Sequence, residues 1–183
     1  MALVEDAIIL AGGRGTRMLP ASLFMPKEMM PLIDTPILNH LVWEAARAGV
    51  KRVHLVVSQR KKDILGVFEE STDWMVNESA RGELPIESLS FGLEDLEIFT
   101  YVQSSAGGVA DAISVALGGI NGPFLVLLGD NLLINDHIGP EKSGQKNASQ
   151  ASFSLVERFT ETGLPCIGAT KVPSEEIRKF GCI

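Results

Sequence analysis

Apolar residues along the chain fall in short unbroken runs that alternate with segments of helical spacing, the pattern of strands covered on both faces and joined by one-sided helices. Ala7 to Ala11 is the first such run and ends at Gly12-Gly13. Residues 14–35 contain Pro20, Pro26 and Pro31, which predicts a long loop there rather than a helix. Loops of that length in a compact domain usually carry function. Thr35 is the expected N-cap of a helix with Pro36 at its first position, where Ile37, Leu38, Leu41, Val42, Ala45 and Ala46 repeat at helical spacing until Gly49.

Val53 to Val57 reads as a second buried strand, and Lys62 to Glu70 as a charged helix with Ile64, Leu65 and Phe68 on one side. Residues 71–95 have no clear period and are expected to form an insertion at the sheet edge. Leu96 to Val102 alternates as a strand, Val109 to Leu117 fits a helix, and Phe124 to Leu128 is another buried strand running into Gly129-Asp130-Asn131. Beyond a polar loop at Gly139 to Ser149, a helix is expected at Ser152 to Thr162, a strand at Cys166 to Lys171 and a helical turn at Ser174 to Phe180. Strand and helix alternation implies right-handed crossovers, hence an α/β fold with a Rossmann-like, doubly wound, mostly parallel sheet. One domain over 1–183 is the expectation for a chain of 183 residues that is 45% hydrophobic.

A formal net charge of -7 argues against a nucleic-acid or acidic-membrane surface and for a small ligand held by local cations. No apolar run reaches membrane-spanning length, and the N-terminus enters a strand with no basic leader, which reads as cytoplasmic. Cys166 and Cys182 lie far apart with no histidine at metal spacing, so both are expected to be buried thiols or bystanders. His40, His54 and His137 are dispersed, and packing or surface roles suit them. Trp43 is expected in the core, and Trp74 falls in the insertion.

The chemistry concentrates after the first strand. Gly12-Gly13-Arg14-Gly15, with Arg17 and Lys27 close by, joins a glycine turn to cations, a combination suited to a polyphosphate. A Rossmann dinucleotide loop would open directly into a helix and have an acidic residue ending the second strand, where Ser58-Gln59-Arg60 stands instead. A P-loop would need Gly-Lys-Ser/Thr, which is absent. Asp130, just past the carboxyl end of a buried strand, occupies the edge where open α/β sheets bind ligands, and Mg²⁺ favours one or two carboxylates together with phosphate oxygens.

Leu10-Ala-Gly-Gly-Arg-Gly-Thr-Arg-Met-Leu-Pro20 with Pro26-Lys-Glu-Met-Met-Pro-Leu-Ile-Asp-Thr-Pro36 resembles the signature of the sugar-1-phosphate nucleotidyltransferases. Pro26-Lys27-Glu28-Met29 is similar to bacterial UTP–glucose-1-phosphate uridylyltransferases; Leu128-Gly129-Asp130-Asn131 and the double glycine are similar to the glucose-1-phosphate thymidylyltransferases. The resemblance implies transfer of a nucleotidyl group from UTP or dTTP to a sugar 1-phosphate, with glucose 1-phosphate first in line. Ala11, Gly12 and Gly13 would then line the nucleoside, while Gly15, Thr16 and Arg17 would hold the triphosphate. Lys27 would contact the α-phosphate region, Arg17 and Lys27 serving as the catalytic cations. Glu28 would meet the base, Gln103 and Gly108 would form the base-recognition pair, and Asp130 would bind Mg²⁺.

Three departures accompany the likeness. Leu23 stands where the uridylyltransferase pattern has a lysine, and Gly108-Val109-Ala110-Asp111 replaces Gly-Leu-Gly-His. The family's Val-Glu-Lys-Pro segment and second metal-binding Asp fall downstream of the stretch that matches Lys171 to Ile183, which implies a C-terminally truncated fold. The resemblance also admits a homo-oligomer, and a nucleotide-binding or regulatory module without turnover remains the alternative function.

Overall fold

A computed structural model describes residues 3–32, 35–64, 96–133 and 149–177. Its centre is a parallel four-stranded sheet in the order β5-β4-β1-β6, formed by β1 (Asp6–Leu10), β4 (Arg52–Ser58), β5 (Glu97–Gln103) and β6 (Phe124–Leu128). The register sets Ile8 beside His54 on one flank and beside Val126 on the other. A small antiparallel pair, β2 (Pro31–Leu32) and β3 (Thr35–Pro36), leads into α1 (Ile37–Arg47). Among the described residues two further helices follow: α2 (Gly108–Ala116) and α3 (Ala151–Thr162).

The period of two along the strands explains why both faces need cover. Ala7, Ile9, Val53, Leu55, Val57, Leu125 and Leu127 join Leu38, Leu41, Val42 and Ala45 of α1 in one core, against which Leu155, Val156 and Phe159 of α3 pack. On the opposite face Ile8 and Val56 meet Ala112 and Ala116 of α2. Each fully buried Leu, Ile or Val contributes about 1.5–3 kcal/mol relative to exposure. The arrangement is the doubly wound α/β fold expected from the alternation of elements.

Helix α1 ends in a reversed pair of bonds, Gly49 N–H to the Ala46 carbonyl and Val50 N–H to the Ala45 carbonyl. It is joined to α3 through a buried polar contact, the Ser152 hydroxyl donating to Glu44 Oε1 at 2.6 Å. Burial raises the Glu44 carboxyl above its ordinary pKa, more than the Ser152 contact lowers it. At the amino edge of the sheet Arg52 grips Asp6 with two bonds of 2.8 and 2.9 Å, and Asp6 also meets His54 Nε2 at 2.9 Å. His54 Nδ1 lies 3.1 Å from the Tyr101 hydroxyl. Trp43 and His40 are buried edge to face, and with the buried His54 these three side chains lie in the interior.

Several expectations need correction. Thr35 does not cap α1: it lies in β3, and Pro36 takes the N-cap position with no side-chain cap bond. The segment 14–35 is not featureless, because it folds into 3-10 turns at Thr16–Met18, Ala21–Leu23 and Lys27–Met29 before β2. No strand forms at Cys166 to Lys171; this segment is exposed and pairs with no strand among the described residues, and an apolar run without a ladder partner has no reason to stay extended. Cys166 is a free, exposed thiol, which of the two expectations leaves the bystander. Residues 59–64 begin the expected charged segment as a 3-10 turn, whereas the insertion at 71–95 with Trp74, and also His137, Cys182 and most of the loop 139–149, lie outside the described residues.

Candidate active site

Strand order reverses at β1, which has β4 and β5 on one side and β6 on the other. Ligands of open α/β sheets bind at the carboxyl ends of the strands where the order reverses. At that point stand the glycine turn after β1, the Gly129-Asp130 turn after β6 and Gln103 at the end of β5. Thus Gly12, Gly13, Gly15, Thr16, Arg17, Lys27, Glu28, Gln103, Gly108 and Asp130 gather at one edge of the sheet, although they span most of the sequence.

The two turns are held close. Gly129 N–H donates to the Leu10 carbonyl at 2.8 Å, and a methyl group on Gly129 would sit 2.5 Å from that oxygen and 3.1 Å from Ala11 Cα. Only glycine allows this approach, and it places Asp130 beside the β1 loop. Gly15 adopts a left-handed conformation, φ 68°, and the Ser22 hydroxyl secures the turn by donating to its carbonyl at 2.8 Å. Arg14, Thr16 and Arg17 are left exposed on the outer surface of the loop.

Lys27 is the centre of the charge arrangement. Its side chain is 10% exposed and Nζ lies 2.6 Å from Asp130 Oδ2, 3.7 Å from Glu28 Oε1 and against Gly13, where a methyl would come within 3.2 Å. The 3-10 turn at Lys27–Met29 aims it inward. Arg17 reaches Asp130 Oδ2 at 3.6 Å from solvent, its own side chain 88% exposed. Hydrogen bonding to Lys27 chiefly, and the charges of Lys27 and Arg17 further, hold the Asp130 carboxyl below the usual aspartate range despite partial burial. Asp130 therefore presents a carboxylate that is 39% exposed and ionised over the neutral range.

Glu28 is fully buried, and Lys61 bonds its Oε2 at 2.6 Å while donating to the Ala11 carbonyl at 3.2 Å. Lys61 was not legible as a site residue, since it is one of three neighbouring cations, Arg60-Lys61-Lys62, that spacing does not distinguish. Ala11 packs its methyl into the core and offers only backbone to the site. Gln103 is 9% exposed; its Nε2 donates to Asp111 Oδ2 at 2.6 Å and to the Gly108 carbonyl at 3.2 Å. Gly108 opens α2 with φ 87°.

Exposed loop backbone with two cations and a neighbouring carboxylate can hold a polyphosphate and neutralise charge that builds on it. The sequence profile described as nucleotidyl transferase matches residues 6–180. The chain belongs to this family. A UTP–glucose-1-phosphate uridylyltransferase 2 of Staphylococcus saprophyticus is 33% identical across the whole of this chain, which covers 60% of that protein. A UTP–glucose-1-phosphate uridylyltransferase of Staphylococcus epidermidis is 32% identical over the same shares.

Among solved structures, the UDP-glucose pyrophosphorylase from Acinetobacter baumannii superimposes with a TM-score of 0.71 at 24% identity, over 88% of this chain and 54% of that one, a likeness of fold. A UDP-glucose pyrophosphorylase complexed with UDP-glucose gives 0.66 at 26% identity, over 88% and 55%. The resemblance read from the glycine loop and Pro26-Lys27-Glu28 is thereby borne out. The chain spans 60% of the length of the curated relatives it matches.

Proposed function

We propose that this chain carries the nucleotide-handling part of an enzyme that transfers a uridylyl group from UTP to glucose 1-phosphate. The observation that carries the reading is Lys27, held between Gly13, Glu28 and Asp130 where the strand order reverses. The relatives named as UTP–glucose-1-phosphate uridylyltransferases support the substrate pair. In the reaction a phosphate oxygen of the sugar 1-phosphate forms a bond to the α-phosphorus of UTP, the bond from that phosphorus to the β-phosphate bridging oxygen breaks, and pyrophosphate leaves.

Gly12 and Gly13 lie along the nucleoside in this reading, with Gln103 and Gly108 at its base. Gly15, Thr16 and Arg17 bind the triphosphate from the outer side of the loop. Lys27 and Arg17 neutralise the charge that develops at the α-phosphate, the kind of fixed electrostatic support that dominates such reactions. Glu28, fully buried and tied to Lys61, supports Lys27 from below and leaves the base contact to Gln103 and Gly108.

A divalent cation, Mg²⁺ in our reading, suits Asp130. Among the described residues no cluster of three or more His, Cys, Asp or Glu side chains could hold a metal alone. A single ionised carboxylate fits a cation that completes its coordination with phosphate oxygens and water. Asp130 would hold the cation, which would supply positive charge to the phosphates.

Pyrophosphate release measured with UTP and dTTP against several sugar 1-phosphates tests the proposal. Release that requires UTP and glucose 1-phosphate together supports it. Saturable UTP binding with no release from any pair refutes turnover by this chain and supports a nucleotide-binding module; preference for dTTP refutes the uridylyl assignment.

A further inference from the structure

Asp111 replaces the histidine of the Gly-Leu-Gly-His stretch in the uridylyltransferase pattern, and the structure shows it engaged with the residue read above as the base contact. Gln103 Nε2 donates to Asp111 Oδ2 at 2.6 Å and to the Gly108 carbonyl at 3.2 Å. A carboxylate only accepts hydrogen bonds, so the amide nitrogen, not the amide oxygen, must face it. With both hydrogens of Nε2 committed, Gln103 Oε1 is turned toward the nucleoside side of the loop, where it lies 3.3 Å from the position of a methyl on Gly12.

The carboxylate itself is built into place. A methyl on Gly107 would collide with Asp111 at 2.6–2.7 Å, so glycine there opens the space, and the Ser105 hydroxyl lies 3.4 Å from the same Oδ2. Asp111 sits in the first turn of α2, whose start also supplies the Gly108 carbonyl that takes the second Nε2 hydrogen. The amide therefore has one orientation rather than two.

We propose that Asp111 is a positioning residue for base selection: by holding the Gln103 amide with its oxygen toward Gly12, it makes the site favour a base whose edge presents an N–H donor at N3, as uracil and thymine do and cytosine does not. The inference rests on Gln103 being the base contact of the proposed function. Asp111 touches no reacting atom and acts through Gln103.

The test uses the full chain in two measurements. The first follows the Gln103 side-chain amide by NMR without nucleotide: Asp111→Leu shifts this resonance, whereas Asp111→Asn, whose Oδ1 accepts the same bond, leaves it near its original position. The second compares binding of UTP with N3-methyl-UTP, in which the donor is blocked. The parent chain is expected to favour UTP by about tenfold or more, Asp111→Leu to bring the two within about threefold, and Asp111→Asn to keep the preference. Asp111→Ala takes the place of Asp111→Leu should the latter fail to fold. An unmoved amide resonance, or an undiminished UTP preference in the Asp111→Leu protein, overturns the inference. Failure of the parent chain to bind UTP while its amide still responds to Asp111 overturns the base-site reading beneath it.

Discussion

Replacing Gly129 by alanine tests the joint that brings Asp130 to the glycine loop. The added methyl would stand 2.5 Å from the Leu10 carbonyl oxygen, 3.1 Å from Ala11 Cα and 3.2 Å from Glu28 Cγ, and two of these three are backbone atoms of the central strand or its end. A relaxed carbon-to-oxygen contact is about 3.3 Å, so β6 and β1 must part by roughly 0.8 Å at this point. That movement breaks the 2.8 Å bond from Gly129 N–H to the Leu10 carbonyl. The lost bond costs about 1 kcal/mol and the overpacking about 1–3 kcal/mol, together about 2–4 kcal/mol. In a chain of this size each kcal/mol is worth about 2–4 °C, so the melting temperature should fall by about 4–16 °C. Displacement of Asp130 by the same movement should lower turnover by about a hundredfold. Thermal melting and pyrophosphate release of Gly129→Ala are measured beside Gly118→Ala, whose methyl meets nothing within 4 Å. If the two variants melt together and turn over alike, the close approach of these strands does not position the site.

Other substitutions address separate contacts. Lys27→Ala should reduce pyrophosphate release by about a hundredfold or more while leaving the fold intact, since in the proposed reading it removes a cation that neutralises the α-phosphate; near-normal turnover would exclude Lys27 from the chemistry. Lys61→Met leaves Glu28 buried without its 2.6 Å partner, a loss of up to about 3–5 kcal/mol that the more distant Lys27 reduces. Urea unfolding should show this destabilisation largely relieved in the double variant with Glu28→Gln, and equal stability of Lys61→Met and parent would show that the pair contributes nothing. Glu44 gives a pH test: burial raises its pKa above the ordinary 4.5, so the folded state binds the proton more readily and stability declines as pH rises from 4.5 through the raised value. Glu44→Gln should remove that slope and raise the melting temperature at neutral pH, and parallel melting-versus-pH curves for the two proteins would contradict the assignment.

The buried strands and α1 were legible because their signals are local. A strand covered on both faces is apolar along most of its length, as at Ala7 to Ala11 and, His54 apart, Val53 to Val57, and α1 shows its one-sided spacing in eleven consecutive residues. Cys166 to Lys171 misled because an apolar, β-branched run is necessary for a strand and not sufficient; the ladder partner is a tertiary matter. Thr35 misled because a side chain suited to capping was drawn into β3 by pairing with Leu32.

By itself the sequence determined the alternation of elements, the glycine loop with its cations and the carboxylate at the end of β6, since each depends on residue type and near neighbours. Only the tertiary structure decided which of three adjacent cations, Arg60, Lys61 and Lys62, meets Glu28, and which way the Gln103 amide faces. Glu28 meets Lys61 from a distant part of the chain, and the Gln103 amide is fixed by Asp111 and the Gly108 carbonyl across the turn into α2; such bonds are set by distances of a few tenths of an ångström that residue spacing does not encode.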